Sequence, residues 1–385
     1  MEKSRKKLSS FIALLSVIVI GCFLLSCSKQ SNLQTEKSNS SIVTEPTPPA
    51  TKAVSSSATL TKAELYAEID EYLSRRNFSG LEAMAAELRK SDIHLAGGYS
   101  ALYQFYARLK RFRPGGEKEL EPNGFSFMEK RQLLEAWLAA IPTSITAKIA
   151  LSQLYLTAAW DARGEDFFQD LSPGQIAGMD INNKLSRSYL DGLDPKSDPQ
   201  IYLLLMNTTN ILLSLDTLTA GSDNKKEALD ILFERAIKEF PTYFHYYASR
   251  ANTLQTKWLG ATGELALFAQ QVYKKTSQDK KTLPAYAFIA SELLSSARRD
   301  LLFSEIGLRW PQMRASYESI EMAYGLDNRT WNILLSLAVQ SGDLGVAKTA
   351  IIHIDEHWDK AVYIEQGYFD TDVAWVNSAL AARNK

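Results

Sequence analysis

Apolar residues recur at helical spacing from Thr61 onward. Leu65, Ile69 and Leu73 are four positions apart, so they share one face of a helix. Thr61 precedes Glu64 by three positions, the capping-box arrangement in which a hydroxyl and a carboxylate each satisfy a free backbone donor. We therefore predict that the first helix of the body begins just after Thr61.

The same period marks a later helix that ends at a proline. Its apolar positions are Leu229, Leu232, Phe233, Ala236, Ile237 and Phe240. Pro241 follows directly and cannot continue a helix, because it lacks an N–H and clashes with the preceding turn. Strand-like alternation bounded by turn residues is hard to find along the chain. The pattern predicts an all-α body over residues 61–385, with about fourteen helices.

The N-terminus has the layout of a secretory signal. A basic stretch from Lys3 to Lys7 leads into an apolar run from Leu8 to Leu25. The tetrapeptide Leu24-Leu25-Ser26-Cys27 resembles the bacterial lipobox, which implies cleavage before Cys27 and a lipid on its thiol. Val19-Ile20-Gly21-Cys22 is a rival site that fits the pattern less well. We predict a lipoprotein signal peptide over residues 1–26.

Residues 27–60 join the predicted lipidated cysteine to the body. After Cys27 the segment is rich in Ser, Thr and Pro and contains no aromatic residue. Such a composition cannot bury enough apolar surface to offset the entropy of ordering, so we predict a disordered linker. A coil of this length spans about 30 Å on average, which lets the body stand clear of a membrane.

Cysteine content and charge limit the functions that the body can have. Cys22 and Cys27 are the only cysteines in the chain, so the predicted body carries no disulfide. The formal net charge of the chain is −1, and removal of residues 1–26 changes it to about −4 by counting. A mildly acidic protein lacks the basic face that nucleic acid requires, so we expect no nucleic-acid partner.

One predicted helix pair has the spacing of a known repeat. Within Asn328–Ala361, Trp331 and Leu334 lie on a first helix and Ala347 lies on a second, with a turn at Gly342–Leu344. These spacings resemble the tetratricopeptide repeat of about 34 residues. The resemblance implies a tetratricopeptide-like α-solenoid of antiparallel helix pairs, with an irregular helical bundle as the alternative.

Three short motifs between about Ala147 and Val272 carry a second resemblance. They are Ala162-Arg163-Gly164, Pro241-Thr242-Tyr243 and Lys257-Trp258-Leu259-Gly260. In this order they are similar to an uncharacterised bacterial family, domain-of-unknown-function family 4034. The resemblance implies helical-repeat structure and no known activity.

The sharpest candidate for catalysis is the segment from His353 to His357. It fits the H-x-x-E-H pattern of inverted zinc peptidases. On a helix, His353 and His357 would share a face and bind zinc, with Glu356 as general base. A third ligand is expected well downstream, and Glu365 is the only glutamate in the short remainder. We favour the alternative that both histidines line a polar helix face, and we expect no metal or other cofactor.

Aromatic and basic residues on either side of Pro241 form a candidate binding surface. Tyrosine, tryptophan and arginine carry much of the binding energy at protein interfaces. The candidates are Arg163, Tyr243, Tyr247, Arg250, Lys257 and Trp258. We favour the alternative interpretation, in which the tyrosines pack the helices and Arg163 interacts with the C-terminal dipole of a helix that ends at Gly164.

These features leave three classes of function. We expect a lipid-anchored envelope protein whose body is a non-catalytic scaffold for an unidentified protein partner, an inference from fold-level analogy. The alternatives are the zinc peptidase and a module that binds an envelope glycan or small ligand. Ser28 stands where lipoproteins retained at the inner membrane carry aspartate. We therefore expect the outer membrane in an organism with two membranes, and otherwise the outer leaflet of the cell membrane.

Cys27→Ala tests the predicted lipid anchor. Without the thiol no diacylglycerol can be attached, so we expect loss of lipid labelling and a protein that is either unprocessed or released into the soluble fraction. Metabolic labelling with a fatty-acid analogue and membrane fractionation measure both effects. Unchanged labelling would move the site to Cys22, and Cys22→Ala is the matched control.

Overall fold

The computed structural model describes residues 60–112, 125–164, 170–216, 223–296, 301–304, 306–354, 357–363 and 365–383. Within these ranges the chain forms seventeen α-helices and no β-strand, which confirms the all-α prediction. The helices outnumber the predicted fourteen or so, since α12 and α16 have only four residues each. The predicted signal peptide, Cys22, Cys27 and the linker up to residue 59 lie outside the described residues.

The helix bounds are as follows: α1 Lys62–Ser74, α2 Phe78–Ser91, α3 Ala101–Leu109, α4 Phe127–Ala140, α5 Ile145–Arg163, α6 Pro173–Ser188, α7 Pro199–Asp216, α8 Asp223–Glu239, α9 His245–Thr253, α10 Glu264–Thr276, α11 Ala285–Ser296, α12 Leu301–Ser304, α13 Trp310–Tyr324, α14 Asn328–Ser341, α15 Leu344–His353, α16 Lys360–Tyr363 and α17 Gln366–Arg383. Short 3₁₀ turns span Ala96–Gly98 and Pro195–Ser197. None of the helices in the described ranges has the length and apolar character needed to cross a bilayer.

Side-chain caps begin several helices, and the first of these caps is the one that the sequence predicts. The Thr61 hydroxyl accepts from the Glu64 N–H at 3.2 Å, and the Thr61 N–H donates to the Glu64 carboxylate at 2.9 Å, which confirms the predicted capping box. Ser126 and Ser172 cap α4 and α6 in the same reciprocal way. The four free N–H groups of a helix start need such partners, so these residues set where each helix begins.

Helix α7 is buried between two hydrophobic cores. The first core contains residues from Leu65 to Ile211, and the second contains residues from Tyr202 to Val376. Helix α7 contributes Ile201, Leu204 and Ile211 to the first core and Tyr202, Leu203 and Met206 to the second. Apolar residues therefore occupy more than one face of α7, and their burial in both cores removes apolar surface from water.

A buried ion pair lies at the N-terminus of α7. Asp198 is 0% exposed and accepts from the Arg89 Nε at 2.5 Å and from the Tyr106 hydroxyl at 2.7 Å. Its other carboxylate oxygen accepts from the Gln200 N–H at 2.8 Å. Arg89 also donates to the Thr146 hydroxyl at 2.7 Å. The network therefore connects α2, α3 and α5 to the start of α7.

The 3₁₀ turn Ala96–Gly98 connects the N-terminal helices to α13. The Gly97 N–H donates to the Gly325 carbonyl at 2.9 Å, and the His94 ring stacks on Tyr324 with centroids 4.9 Å apart. Gly97 has φ 81°, a left-handed conformation that glycine adopts without a Cβ penalty. Residues more than two hundred positions apart in sequence are brought together at this turn.

The predicted pair over residues 328–361 contains two packed helices, α14 and α15. Gly342 has φ 77° and ends α14, and the Asp343 carboxylate accepts from the Val346 N–H at 3.1 Å to begin α15. Trp331, Leu334 and Ala347 are buried. The turn is where the sequence predicts it, and the tetratricopeptide assignment stays a prediction.

Asp198→Ala tests the importance of the buried ion pair. The change leaves the Arg89 cation buried without its carboxylate, so we expect the free energy of unfolding to fall by about 3–5 kcal/mol. Urea unfolding followed by circular dichroism measures it. Arg75→Ala is the control: it breaks the exposed Arg75–Glu71 pair, which contributes less than about 1 kcal/mol. Equal losses in the two variants would contradict the role of Asp198.

Candidate functional site

A groove of about 370 Å³ lies between α8 and α10, with α9 as its floor. Lys226 binds Glu264 at 2.7 Å and Glu234 binds Lys275 at 3.1 Å, and both ion pairs join α8 to α10. Residue numbers rise along both helices from the first pair to the second, so α8 and α10 run parallel. The groove is lined by Asp230, Phe233, Glu234, Ile237, Tyr247, Arg250, Leu254, Glu264, Leu267, Phe268, Gln271, Val272, Lys275, Thr276 and Thr282.

Arg250 in the floor of this groove is a buried cation with one unsatisfied nitrogen. Its side chain extends from α9 toward α8, where Nη2 donates to the Asp230 carboxylate, and the residue is only 3% exposed. The Nη1 nitrogen is buried and has no hydrogen-bond partner. A buried N–H without an acceptor costs free energy comparable to a lost hydrogen bond.

Aromatic rings form one wall of the groove. Phe233 meets Tyr247 edge-on, with centroids 5.4 Å apart and planes at 86°, and meets Phe268 at 5.5 Å and 65°. Edge-to-face pairs of this kind are the favoured aromatic geometry. Burial raises the pKa of Tyr247 to about 12, so its phenol is neutral at physiological pH. The wall is a fixed apolar surface next to Arg250.

One carboxylate of the groove, Glu264, is stabilised in the ionised form. Burial opposes ionisation of Glu264, but hydrogen bonds from Lys226 and from the Ala261 N–H outweigh it and lower the pKa of this carboxyl. A general base must have a pKa near the working pH, and a lowered carboxyl pKa makes a weaker base. Glu264 is therefore a weak general base.

The six predicted surface residues do not form one surface. Tyr247 and Arg250 line the groove. Tyr243 is buried on another side of the same segment, where its hydroxyl donates to the Gln200 side chain. The structure does not bring the six residues together on one surface, because residues 241–254 enter the interior and present different faces to different neighbours.

The remaining three predicted residues gather where the end of α5 meets the turn after α9. The Arg163 guanidinium lies 5.1 Å from the Trp258 ring centroid, and Trp160 meets Trp258 edge-on at 5.7 Å. Burial lowers the pKa of the neighbouring Lys257, as does Arg163, whereas Glu292 raises it. A Cβ on Gly260 would lie 1.8 Å from the Leu254 carbonyl, so only glycine fits this turn. Two of the three family-like motifs thus meet in space.

The two histidines of the zinc-peptidase pattern do not share a helix face. Helix α15 ends at His353, whose ring stacks on Trp331 with centroids 4.3 Å apart and whose Nδ1 lies 2.9 Å from the Thr349 carbonyl. His357 lies beyond the helix, and Glu356 is outside the described residues. The described residues contain no group of three metal-binding side chains. The predicted i, i+4 arrangement is wrong because the helix is too short.

Sequence reasoning missed His245, which begins α9 inside a cluster of aromatic rings. Its ring stacks on Tyr103 with centroids 3.3 Å apart and meets Phe288 edge-on at 5.3 Å. Its Nε2 is buried without a hydrogen-bond partner. Burial lowers the pKa of His245 well below its usual value, and His94 and Lys110 act in the same direction. The only sequence signal is its place among the tyrosines after Pro241.

Comparisons with family models, with curated proteins and with solved structures found no match to this chain. The resemblance to domain-of-unknown-function family 4034 therefore stays a prediction. The assignment of the groove and the aromatic clusters as candidate sites therefore depends only on the geometry of this chain.

His245→Phe tests the neutral state of the buried histidine. The folded pKa is lower than the unfolded value of 6.5, so the native state binds fewer protons and loses stability as the pH falls below that value. We expect the wild type to lose about 1.4 kcal/mol per pH unit more than the variant in this range. Urea unfolding at several pH values between 7.5 and about 5 measures it. Parallel profiles would contradict the assignment.

Proposed function

We propose that this chain is a lipid-anchored protein of the cell envelope whose helical body binds a partner protein and performs no chemistry. The observation that carries the proposal is the groove between α8 and α10, where an aromatic wall lies beside the buried Arg250. Binding sites are typically concave and apolar, with a few polar groups that fix the orientation of the ligand.

Ion pairing in the groove favours binding over catalysis. Each carboxylate of the lining has a cationic partner: Asp230 pairs with Arg250, Glu234 with Lys275, and Glu264 with Lys226. Such pairing engages the carboxylates in structural contacts that join α8 to α9 and to α10. A second groove, of about 360 Å³ between α13, α14 and α15, is weaker support, since its Arg314 is already bound to Glu318 and Asp343.

The anchor and the repeat architecture complete the proposal. The lipobox-like segment supports a lipid on Cys27 and a tether over residues 28–60, which would hold the body near the membrane surface. Packing of α14 against α15 across a glycine turn supports a tetratricopeptide-like solenoid, in which stacked helix pairs form grooves for partners. The outer membrane is the proposed location in an organism with two membranes.

Site-specific photo-crosslinking in living cells tests the proposed scaffold. A benzoylphenylalanine at position 267 faces the groove, whereas the same group at position 231 lies on α8 outside the groove lining. Leu267 and Ile231 are 56% and 45% exposed, so both positions tolerate the substitution. We expect irradiation to yield a discrete protein adduct from position 267 and none from position 231.

Two comparisons decide the outcome of that experiment. The adduct should depend on the anchored protein and decrease in the Cys27→Ala variant, because tethering raises the local concentration of an envelope partner. Identical adducts from positions 231 and 267, or none from position 267 under several growth conditions, would refute the proposal.

A further inference from the structure

We infer that His94 is held as an imidazolium, with a proton on each ring nitrogen, and that it forms a pH-sensitive junction between the segment after α2 and the segment before α9. The junction consists of Asp92, His94 and Thr242. Loss of either ring proton removes one of the two hydrogen bonds that the ring makes across it. The inference concerns the helical body and is independent of the groove and of the lipid anchor.

Both ring nitrogens of His94 face carbonyl oxygens. Nδ1 lies 3.0 Å from the Asp92 carbonyl, and Nε2 lies 3.0 Å from the Thr242 carbonyl. A carbonyl oxygen can only accept a hydrogen bond, so each of these contacts needs an N–H on the ring. A neutral imidazole has one N–H, whereas the imidazolium has two. The charged ring is therefore the form that satisfies both contacts.

Burial makes the loss of one ring proton costly. The His94 side chain is only 2% exposed, so water has little access to replace a lost donor. In the neutral ring, a nitrogen lone pair would face a carbonyl oxygen at hydrogen-bond distance, and that oxygen would lose its donor. Deprotonation therefore weakens a contact between residues that are 148 positions apart in sequence.

The groups that contact the ring favour a positive charge. One oxygen of the Asp92 carboxylate lies 4.0 Å from Nδ1, and the other accepts from the Thr242 hydroxyl at 2.8 Å. Tyr324 of α13 stacks on the ring with centroids 4.9 Å apart. The face of an aromatic ring attracts a cation, because its quadrupole is negative there.

Two further titratable side chains near the junction are uncharged at neutral pH. Burial lowers the pKa of His245 well below its usual value, and His94 and Lys110 act in the same direction. Burial raises the pKa of the Tyr324 phenol, and Asp92 adds to the shift. His245 and Tyr324 therefore neither repel the charge on His94 nor compete with it for the Asp92 carboxylate.

Nuclear magnetic resonance of the ring nitrogens tests the protonation state directly. The sample is the full chain, labelled with nitrogen-15 histidine, in detergent micelles. The chain has four histidines, so spectra of His245→Phe, His353→Gln and His357→Gln assign the His94 signals by elimination. We expect two protonated ring nitrogens on His94 at neutral pH. A single protonated nitrogen would show a neutral tautomer and overturn the inference.

His94→Gln tests the energetic consequence. The native state keeps the second ring proton, whereas an unfolded histidine releases it above about pH 6.5, so the wild type should lose stability relative to the variant as the pH rises. We expect a relative change in the unfolding equilibrium constant of up to about tenfold per pH unit. Urea unfolding between about pH 6.5 and about pH 8.5 measures it. The effect of His245 lies below this range and is common to both proteins.

The direction of the pH dependence and a matched control decide the outcome. If the wild type instead loses relative stability as the pH falls, or if the two profiles are parallel, the native state does not hold the second proton and the inference is overturned. His353→Gln makes the same exchange on an exposed histidine, and its profile should follow that of the wild type. An effect equal to that of His94→Gln would refute the location. If His94→Gln does not fold, the ring-nitrogen spectrum of the wild type decides alone.

Discussion

The buried ion pair between Arg89 and Asp198 is the constraint on which the two cores depend. A carboxylate removed from water is stable only when its lone pairs are satisfied, and Arg89, Tyr106 and the Gln200 N–H satisfy those of Asp198. These partners belong to α2, α3 and the first turn of α7. The charge pair therefore ties the start of α7 to α2 and α3.

The groove depends on that position through successive helices. Helix α7 contributes Tyr202 and Met206 to the second core, where they pack with α8 and α9. Tyr246 at the start of α9 donates to the Pro199 carbonyl at 2.6 Å, directly beside Asp198. This contact joins the first turn of α9 to the start of α7, and Arg250, on the same helix, donates to Asp230 of α8. The floor of the groove is thus connected through α9 to the network at Asp198.

Local patterns predicted the helices well and their surroundings poorly. The capping box at Thr61 and the stop at Pro241 depend only on residues within one or two turns, so the sequence predicts both correctly. The neighbours that the tyrosines after Pro241 contact depend on which helices pack against α9. That information lies elsewhere in the chain. The histidine pattern failed for a related reason, since α15 ends at His353 and leaves His357 outside the helix.

The sequence by itself determined that the body is helical and where many of its helices begin and end, because caps, prolines and apolar period act over a few residues. Only the tertiary structure decided that Asp198 meets Arg89, that Arg163 meets Trp258, and that Arg250 lines a groove with one nitrogen unsatisfied. These contacts join residues that are distant in sequence, and no local preference specifies them. They arise from the packing of whole helices, which the pattern of a single segment does not encode.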